Sequence, residues 1–566
     1  MKYIIPENIS KEWINRRKPK NFIPGYKYER LLYAIHCIAK NLTLGNEINE
    51  EGIPLVRLKS EFLKNKMGCH YNKYFEFLKR KKVITISDSY QINVESKKYA
   101  FTQPFMVGMK IVDIPESNGE LINRRSSKPT QQTFSLAQKN TATDLSNIME
   151  ERDVVDSYMY GYDYVEDDEL IVEDEIICPF SKGFPVLNQW NSWFNDKLVL
   201  DIEWAKNAIE KEKEELILNP QFKKLFRKVW NKKTGKYRKK FISVEVKPET
   251  FHARASSKVA LFQIRDFKPV HRDGTIGRLF STIVQTPKVI RPFLTYDGQP
   301  LGYLDIKNCQ PFLVTGLLNP SFWKTDIPYL AKEYNKFTFC PEKCITNIQE
   351  IGYAEYLFPN TPKGRKRYRM VLSAVKGLQG KDDVYYFKQS VTQGTFYKDM
   401  EKRILDNKDS EPVTNEFVKE SMFTVLFTAN QYIGAPDAAA KRKFREIYPH
   451  VYELLAAVKS GKGNKSLLSR LLQRLESHIM IDGVATHLTQ HYPDIPFFPL
   501  HDAIAMPLRH RDLIKAIMLE FVERNTGYKP AVHEKVWGNG FNKIQESTPI
   551  LISERASESI HLPMTG

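Results

Sequence analysis

Two aspartates in apolar, strand-like surroundings, and a lysine in line with two aromatic rings, are the residues here whose types and spacing could do chemistry together. Asp305 closes the run Leu301-Gly-Tyr-Leu-Asp305-Ile, and Asp502 lies in Pro499-Leu-His501-Asp502-Ala-Ile-Ala-Met, with apolar residues on both sides. A carboxylate at the end of a core strand is costly unless a positive group compensates it, and a divalent cation is the usual compensation. Two such carboxylates brought together could hold two metal ions, activating one oxygen and stabilising a departing one in phosphoryl transfer. Either aspartate alone also reads as a turn or capping carboxylate; the presence of both in one chain favours the metal reading. In the helical pattern Asn415-Glu-Phe-Val-Lys419-Glu-Ser-Met-Phe423-Thr-Val-Leu-Phe427, positions four apart advance only about 40° around the axis, so Lys419, Phe423 and Phe427 share one face. One cation and two rings in a row could hold a triphosphate, a sugar and a base. A core aromatic stripe with a snorkelling lysine would give the same pattern.

These residues need elements to position them. The chain has 566 residues, enough for three or four packed units. Its 85 Lys and Arg against 67 Asp and Glu leave a charge of +18, an excess that admits nucleic acid, an anionic membrane or acidic partners. No apolar run approaches the ~18 residues of a membrane span, and the polar, basic start has no signal-peptide core, so a cytoplasmic protein is expected. Six scattered cysteines argue against a disulfide framework. Cys340 and Cys344 have the spacing of half a zinc site, but no second Cys/His pair stands near.

Residues 1–113 show helical apolar spacing over Tyr28–Asn41, Leu55–Met67 and Tyr71–Lys82, then two strand-like runs, Val83–Ser87 and Tyr90–Val94. Three short helices followed by a hairpin resemble a winged helix, whose third helix, here carrying Lys79 and Arg80, usually lies in a DNA groove. A solvated lysine face in a protein-binding module is the alternative. Residues 114–180 read as a polar linker that becomes acidic, with a dozen acids and one Arg over Glu150–Glu175. Residues 181–270 read as helical, with Leu198–Leu218 a long helix. The Phe222–Lys240 stretch concentrates Lys223, Lys224, Arg227 and seven further cations around Phe226 and Trp230, a density that suits a phosphate backbone. The last residues, 546–566, read as a loose tail.

Taken in order, the segments resemble the polymerase part of family A nucleic-acid polymerases, related to the bacteriophage-type single-subunit RNA polymerases. Gly277-Arg278-Leu-Phe-Ser is similar to the family's T-G-R-L-S-S element. Asp305 with Asn308 and Gln310 resembles its D-Y-S-Q-I-E motif, and Lys419, Phe423 and Phe427 its K-x-x-x-[FM]-x-x-x-Y helix. Leu472-Gln473-Arg-Leu-Glu476-Ser resembles Q-x-x-A-A-D-I, and His501-Asp502 resembles V-H-D-E. The resemblance covers roughly Leu198–Trp537. It implies an α+β right-hand fold, with a palm of antiparallel sheet and helical fingers over residues 271–545, a helical thumb over 181–270, and the winged-helix-like part ahead of them.

The resemblance further implies a template-directed nucleotidyltransferase. Asp305, Asp502 and the Ile306 carbonyl would hold two Mg²⁺ ions, with Mn²⁺ as a substitute. Lys419 would neutralise the leaving phosphate. Phe423, Phe427, Gln310 and Asn308 would meet the nucleotide, and Arg278, Gln473 and His501 the primer end. The implied partners are a DNA primer-template and nucleoside triphosphates, bound by a monomer in the cytoplasm, of the host where a phage encodes the chain. Departures are evident: Asn415 stands where the family has Arg, Ala503 follows the second Asp, Gln310 replaces a Glu, and Phe427 replaces Tyr. Arg365, Arg367 or Arg369 could supply the missing triphosphate contact. Phe427 lacks a hydroxyl for a ribose, which tilts the reading to deoxynucleotides. An RNA polymerase on the same scaffold, and a non-catalytic winged-helix replication protein, are the alternatives.

Overall fold

The computed structural model describes residues 1–42, 47–49, 51–87, 97–114, 186–231, 236–274, 276–339, 345–405, 424–434, 438–461 and 463–537. Helices pack on antiparallel strands throughout, an α+β arrangement with two cores. None of these helices is long and apolar enough to cross a membrane.

The first part runs β1 (Lys2–Pro6), α1 (Lys11–Arg16), α2 (Tyr28–Ala39), β2 (Val56–Leu58), α3 (Ser60–Met67), α4 (Tyr71–Arg80), β3 (Ile84–Ile86), β4 (Lys97–Phe101) and β5 (Met109–Asp113). The strands β2, β4 and β3 form an antiparallel sheet in that order, while β1 and β5 pair with each other. Helix α4 is amphipathic in the manner its spacing dictates: Tyr71, Tyr74, Phe75, Phe77 and Leu78 are buried, and Lys73, Lys79 and Arg80 are exposed. Two expectations change here. The helix read over Leu55–Met67 splits into β2 and α3, because Val56 and Leu58 alternate inward on a strand paired to β4. The partner of β3 is β4 rather than Tyr90–Val94, whose residues lie outside the described ones.

The larger part begins with α5 (Val186–Ser192), β6 (Leu198–Leu200) and α6 (Ile202–Leu218). Leu198 therefore starts a strand and not a helix: Asp201, whose side chain accepts from the Trp204 backbone N–H at 3.2 Å, caps α6 and fixes its start. The basic stretch expected to be helical is a hairpin, β7 (Phe222–Asn231) paired antiparallel with β8 (Lys236–Glu245). The spacing of Phe222, Leu225, Phe226, Val229 and Trp230 suits a helix, but the β-branched run Ile242, Val244, Val246 on the other side of Lys-Lys-Thr-Gly favours a strand and recruits its partner. Lys223, Lys224 and Arg227 belong to β7; their side chains lie outside the described residues.

Helix α7 (Pro248–Ile264) follows, then β9 (His271–Arg272), β10 (Leu279–Phe280), β11 (Leu294–Tyr296), β12 (Gln299–Ile306) and α8 (Cys309–Leu317). Helices α9 (Pro328–Tyr334), α10 (Ala354–Leu357), α11 (Pro362–Lys376), α12 (Asp382–Thr392) and α13 (Phe396–Leu405) come next, with a helical turn at 424–427. After α14 (Ala439–Ile447) and α15 (Pro449–Val458), α16 (Leu467–Ser477) runs on as a π-helix (His478–Ala485) into α17 (Thr486–His491). The described chain closes with β13 (Phe498–Leu500), β14 (Ala503–Pro507), α18 (Arg511–Thr526) and β15 (Val532–Trp537).

One antiparallel sheet, ordered β13-β14-β12-β11-β6 with β15 also on β12, carries this part. Helix α7 joins the two cores. Its Ala253, Ala260 and Leu261 pack in the first, and its Ala255, Val259 and Phe262 in the second. Polar contacts reinforce the seam: the Ser257 hydroxyl donates to the Ala39 carbonyl at 2.6 Å, Lys40 pairs with Asp266 at 2.6 Å, and Lys268 donates to Asn41 at 2.9 Å. Burial between the cores, with Lys268, Arg254 and Lys40 nearby, pulls the Lys258 amine down to about 7.

Candidate active site

The strand register decides where the two aspartates meet. Asp305, near the end of β12, is paired across the sheet with Ala503, the first residue of β14. Asp502 precedes it in the β13–β14 turn, and its carbonyl accepts a hydrogen bond from the Ile306 N–H at 3.3 Å. That hydrogen bond brings the Asp502 backbone to the end of β12, beside Asp305. Both aspartates are partly open, whereas Leu304, Ile306, His501 and Ala503 are buried. The two carboxylates act on common neighbours. Burial, then Asp305 and Asp502, raise the Tyr303 phenol above its ordinary value, and the buried Cys309 thiol is pushed well up by burial, Asp502, Glu476 and Asp305, against Arg278.

Glu476, on α16, is the centre of a buried polar cluster beside this edge. Arg278 grips its carboxylate in a fork, Nε to Oε1 at 3.0 Å and a terminal nitrogen to Oε2 at 2.9 Å, with both side chains 1% exposed. The Gln310 amide nitrogen adds a third bond at 2.7 Å. Burial raises the Glu476 carboxyl and Asp502 adds to the rise, while Arg278 opposes both. Asn308 enters α8 with a left-handed φ of 54°, and among the described residues its amide nitrogen and the Gln310 amide oxygen are buried without a hydrogen-bond partner. His501 takes a φ of 64° in the turn, its ring edge-on to Phe280 at 5.8 Å. Both its ring nitrogens are buried and have no hydrogen-bond partner among the described residues. Burial, with Arg278 and Arg291 nearby, holds that imidazole well below its ordinary value and therefore neutral.

A second cluster clamps the loop that carries Arg278. Asp482 of the π-helix binds Arg272 at 2.5 Å and Arg474 at 2.9 Å. Burial pulls its carboxyl up, but His478, Arg474 and Arg272 together hold it at about 2. Arg272 and Ser477 both donate to the Gly277 carbonyl. Gly277 sits at φ +76°, and a Cβ there would come within 2.8 Å of Arg272 and 3.0 Å of Arg474, so this closure demands glycine.

The remaining candidates are distributed unevenly. Gln473 is buried on α16, and Lys79 and Arg80 are exposed on α4, far along the chain. Lys419 and Phe423 lie outside the described residues, as do Cys340 and Cys344. Phe427 is buried in the larger core at the 424–427 turn. Arg367 is committed to the backbone, donating to the Leu357 and Ser460 carbonyls, so of the three arginines considered for a triphosphate it is occupied structurally. Sequence reasoning missed two buried lysines at this place. Lys459 donates to the carbonyls of Val425, Leu426 and Thr428, and Lys441 to Thr428 and Ala429. They satisfy the carbonyl end of the turn that carries Phe427. Burial lowers both amines, Lys441 to about 8.

Among the described residues no group of three or more His, Cys, Asp or Glu side chains could hold a metal ion by itself. Together, two carboxylates and the Ile306 carbonyl would make an all-oxygen donor set of the kind that suits Mg²⁺, which takes one or two carboxylates and completes its shell with water and substrate phosphates. No protein-family model matches the chain. No curated protein matches it either. Among solved structures, the POL domain of Pol1 from M. smegmatis, in complex with DNA primer-template and dNTP, is similar at 13% identity with a TM-score of 0.21, over 62% of this chain and 65% of that one. This chain thus spans under two thirds of that domain. A TM-score this low assigns no fold, so fold and site stand on the chain's own register and contacts.

Proposed function

We propose that the chain is a template-directed nucleotidyltransferase, a DNA polymerase of the family A type, extending a primer 3′-OH with release of pyrophosphate. One observation carries this reading: the β12–β14 pairing brings Asp305 and the turn residue Asp502 to the same end of the sheet, both partly open beside a buried polar cluster. Asp305, Asp502 and the Ile306 carbonyl would hold Mg²⁺, which would supply activation of the attacking hydroxyl and stabilisation of the departing phosphate oxygen. Arg278, held by Glu476 of α16, and Gln473 on the same helix would meet the primer end. His501, kept neutral, is able to donate to or accept from that end without adding charge. Lys419 would meet the triphosphate and Phe423 and Phe427 the base.

Ahead of this site, the order helix, strand, helix, helix, strand, strand over α2–β4, with the sheet β2-β4-β3, supports a winged-helix-like module. Its exposed Lys79 and Arg80 would face duplex phosphates.

A second reading, RNA synthesis at the same site, is favoured by Gln310. Its amide nitrogen is spent on Glu476, so the amide oxygen, buried and without a partner among the described residues, is the group that would accept from a sugar hydroxyl. Primer extension with Mg²⁺ and either dNTPs or NTPs tests both. Extension that disappears in Asp305→Asn and Asp502→Asn supports the site; no extension by the wild type with either nucleotide set rejects the function.

A further inference from the structure

Helix α11 contains six cations, Lys363, Arg365, Lys366, Arg367, Arg369 and Lys376, and no acid. Its buried face, with Gly364, Tyr368, Val371, Leu372, Ala374 and Val375, packs inward. Lys363, Lys366, Arg369 and Lys376 share the opposite, exposed face with Met370, 43% exposed. Arg365 is spent on Asn360 at 2.6 Å, and Arg369 lies 3.8 Å from Glu333, which Lys336 also holds. Lys363, Lys366 and Lys376 make no ion pair among the described residues. From first to last they are thirteen residue steps apart, roughly 20 Å of helix.

Five residues separate α11 from α12, whose fourth and fifth residues, Tyr385 and Tyr386, are 64% and 54% exposed. Their rings stand edge-on to each other at 5.7 Å. Both helices bury their other faces against α15. The acids at this end are Asp383, engaged by the His450 backbone and ring at 3.0 and 2.8 Å, and the exposed Asp382. Lys381 stands beside them in the connecting turn, also exposed.

A row of cations with no ion pair among the described residues, followed along the chain by exposed, adjacent rings, has the chemistry of a single-strand site: charge follows the backbone and rings stack on unpaired bases, which a duplex keeps covered. We infer that the α11–α12 face binds single-stranded nucleic acid. This deepens the proposed function, on which it rests for its role, since a template-directed enzyme must hold the unpaired part of its template.

The test uses the full chain, with fluorescent dT20, rU20 and a blunt 20-base-pair duplex in anisotropy titrations. Tyr385→Ala/Tyr386→Ala should weaken single-strand binding about tenfold or more while leaving the duplex unaffected. Lys363→Gln/Lys366→Gln/Lys376→Gln should lower the single-strand salt slope by about two. Loss with one probe only names the strand type. The Asp305→Asn/Asp502→Asn chain separates the two readings: it should bind dT20 or rU20 as the wild type does, whether or not the wild type extends primers. Unchanged single-strand binding in both surface variants, or equal loss of duplex binding, overturns the inference. Circular dichroism and thermal melting verify that the exposed substitutions leave the fold intact.

Discussion

Each part of the molecule buries a glutamate held by two donors, and the two are built for different ends. Glu47, in the N-terminal part, is held by two cations, Lys98 at 2.9 Å and Arg57 at 3.2 Å. Glu476, in the larger part, has one cation, Arg278, and one neutral amide, Gln310. Nearby, Asp502 raises it further, and the thiol of Cys309 feels three acids against one guanidinium. A buried acid surrounded by more positive than negative charge fastens β2 to β4. A buried acid placed among other acids is pushed toward its neutral form, a cost that a divalent cation bound nearby would relieve.

Breaking the second arrangement at its edge should have the largest effect. Asp502→Asn or Asp305→Asn is expected to cut primer extension by roughly 10²–10³-fold, measured as initial rates, with the urea midpoint little changed. Retained extension in both would reduce Glu476 to the structural role of Glu47.

The sharpest comparison is Glu476→Gln against Glu47→Gln. Each removes the charge from one side of a buried ion pair, so each should lose about 3–5 kcal/mol in urea denaturation. Under conditions where both remain folded, only Glu476→Gln should impair extension. Equal impairment would erase the distinction.

A smaller effect concerns acid. Asp482 is held at about 2 against its burial by His478, Arg474 and Arg272. A depressed carboxyl stabilises the fold above its unfolded-state value near 3.9 and loses that contribution as pH falls toward 2. Wild-type stability should therefore drop between about pH 4 and pH 2 by about 2 kcal/mol more than that of Asp482→Asn. Parallel profiles would show that the clamp on Gly277 does not depend on this charge. The mildest change is expected outside both cores: Lys79→Ala/Arg80→Ala should reduce the salt slope of duplex binding by about two, leaving extension at saturating template unaltered.

Much of the sheet edge was legible because apolar runs on either side of a lone acid admit few arrangements. Asp305 near the end of β12 and His501-Asp502 between β13 and β14 follow from Leu301–Ile306 and Ile495–Pro507. The helices α2 and α4 follow from apolar spacing. Glu476 was harder to see. Its one local signal is its position four residues beyond Leu472 and eight beyond Leu468, on the apolar stripe of α16 where a charge needs a partner. That partner, Arg278, is 198 positions away, and no local pattern names it. The β7–β8 hairpin escaped for a related reason: its hydrogen bonds come from pairing Phe222 through Asn231 with a second strand, which the spacing within either strand does not reveal.

Helix α7, seventeen residues shared by two cores, makes the molecule's denaturation a joint event. Were residues 1–114 to detach, Ala253, Ala260 and Leu261 would meet water while Ala255, Val259 and Phe262 still faced the sheet, so half-unfolded species gain little from releasing one side. Amide protons along α7 should thus exchange only through openings of both halves, and a calorimetric scan should record one endotherm where the long connection between the halves would suggest two.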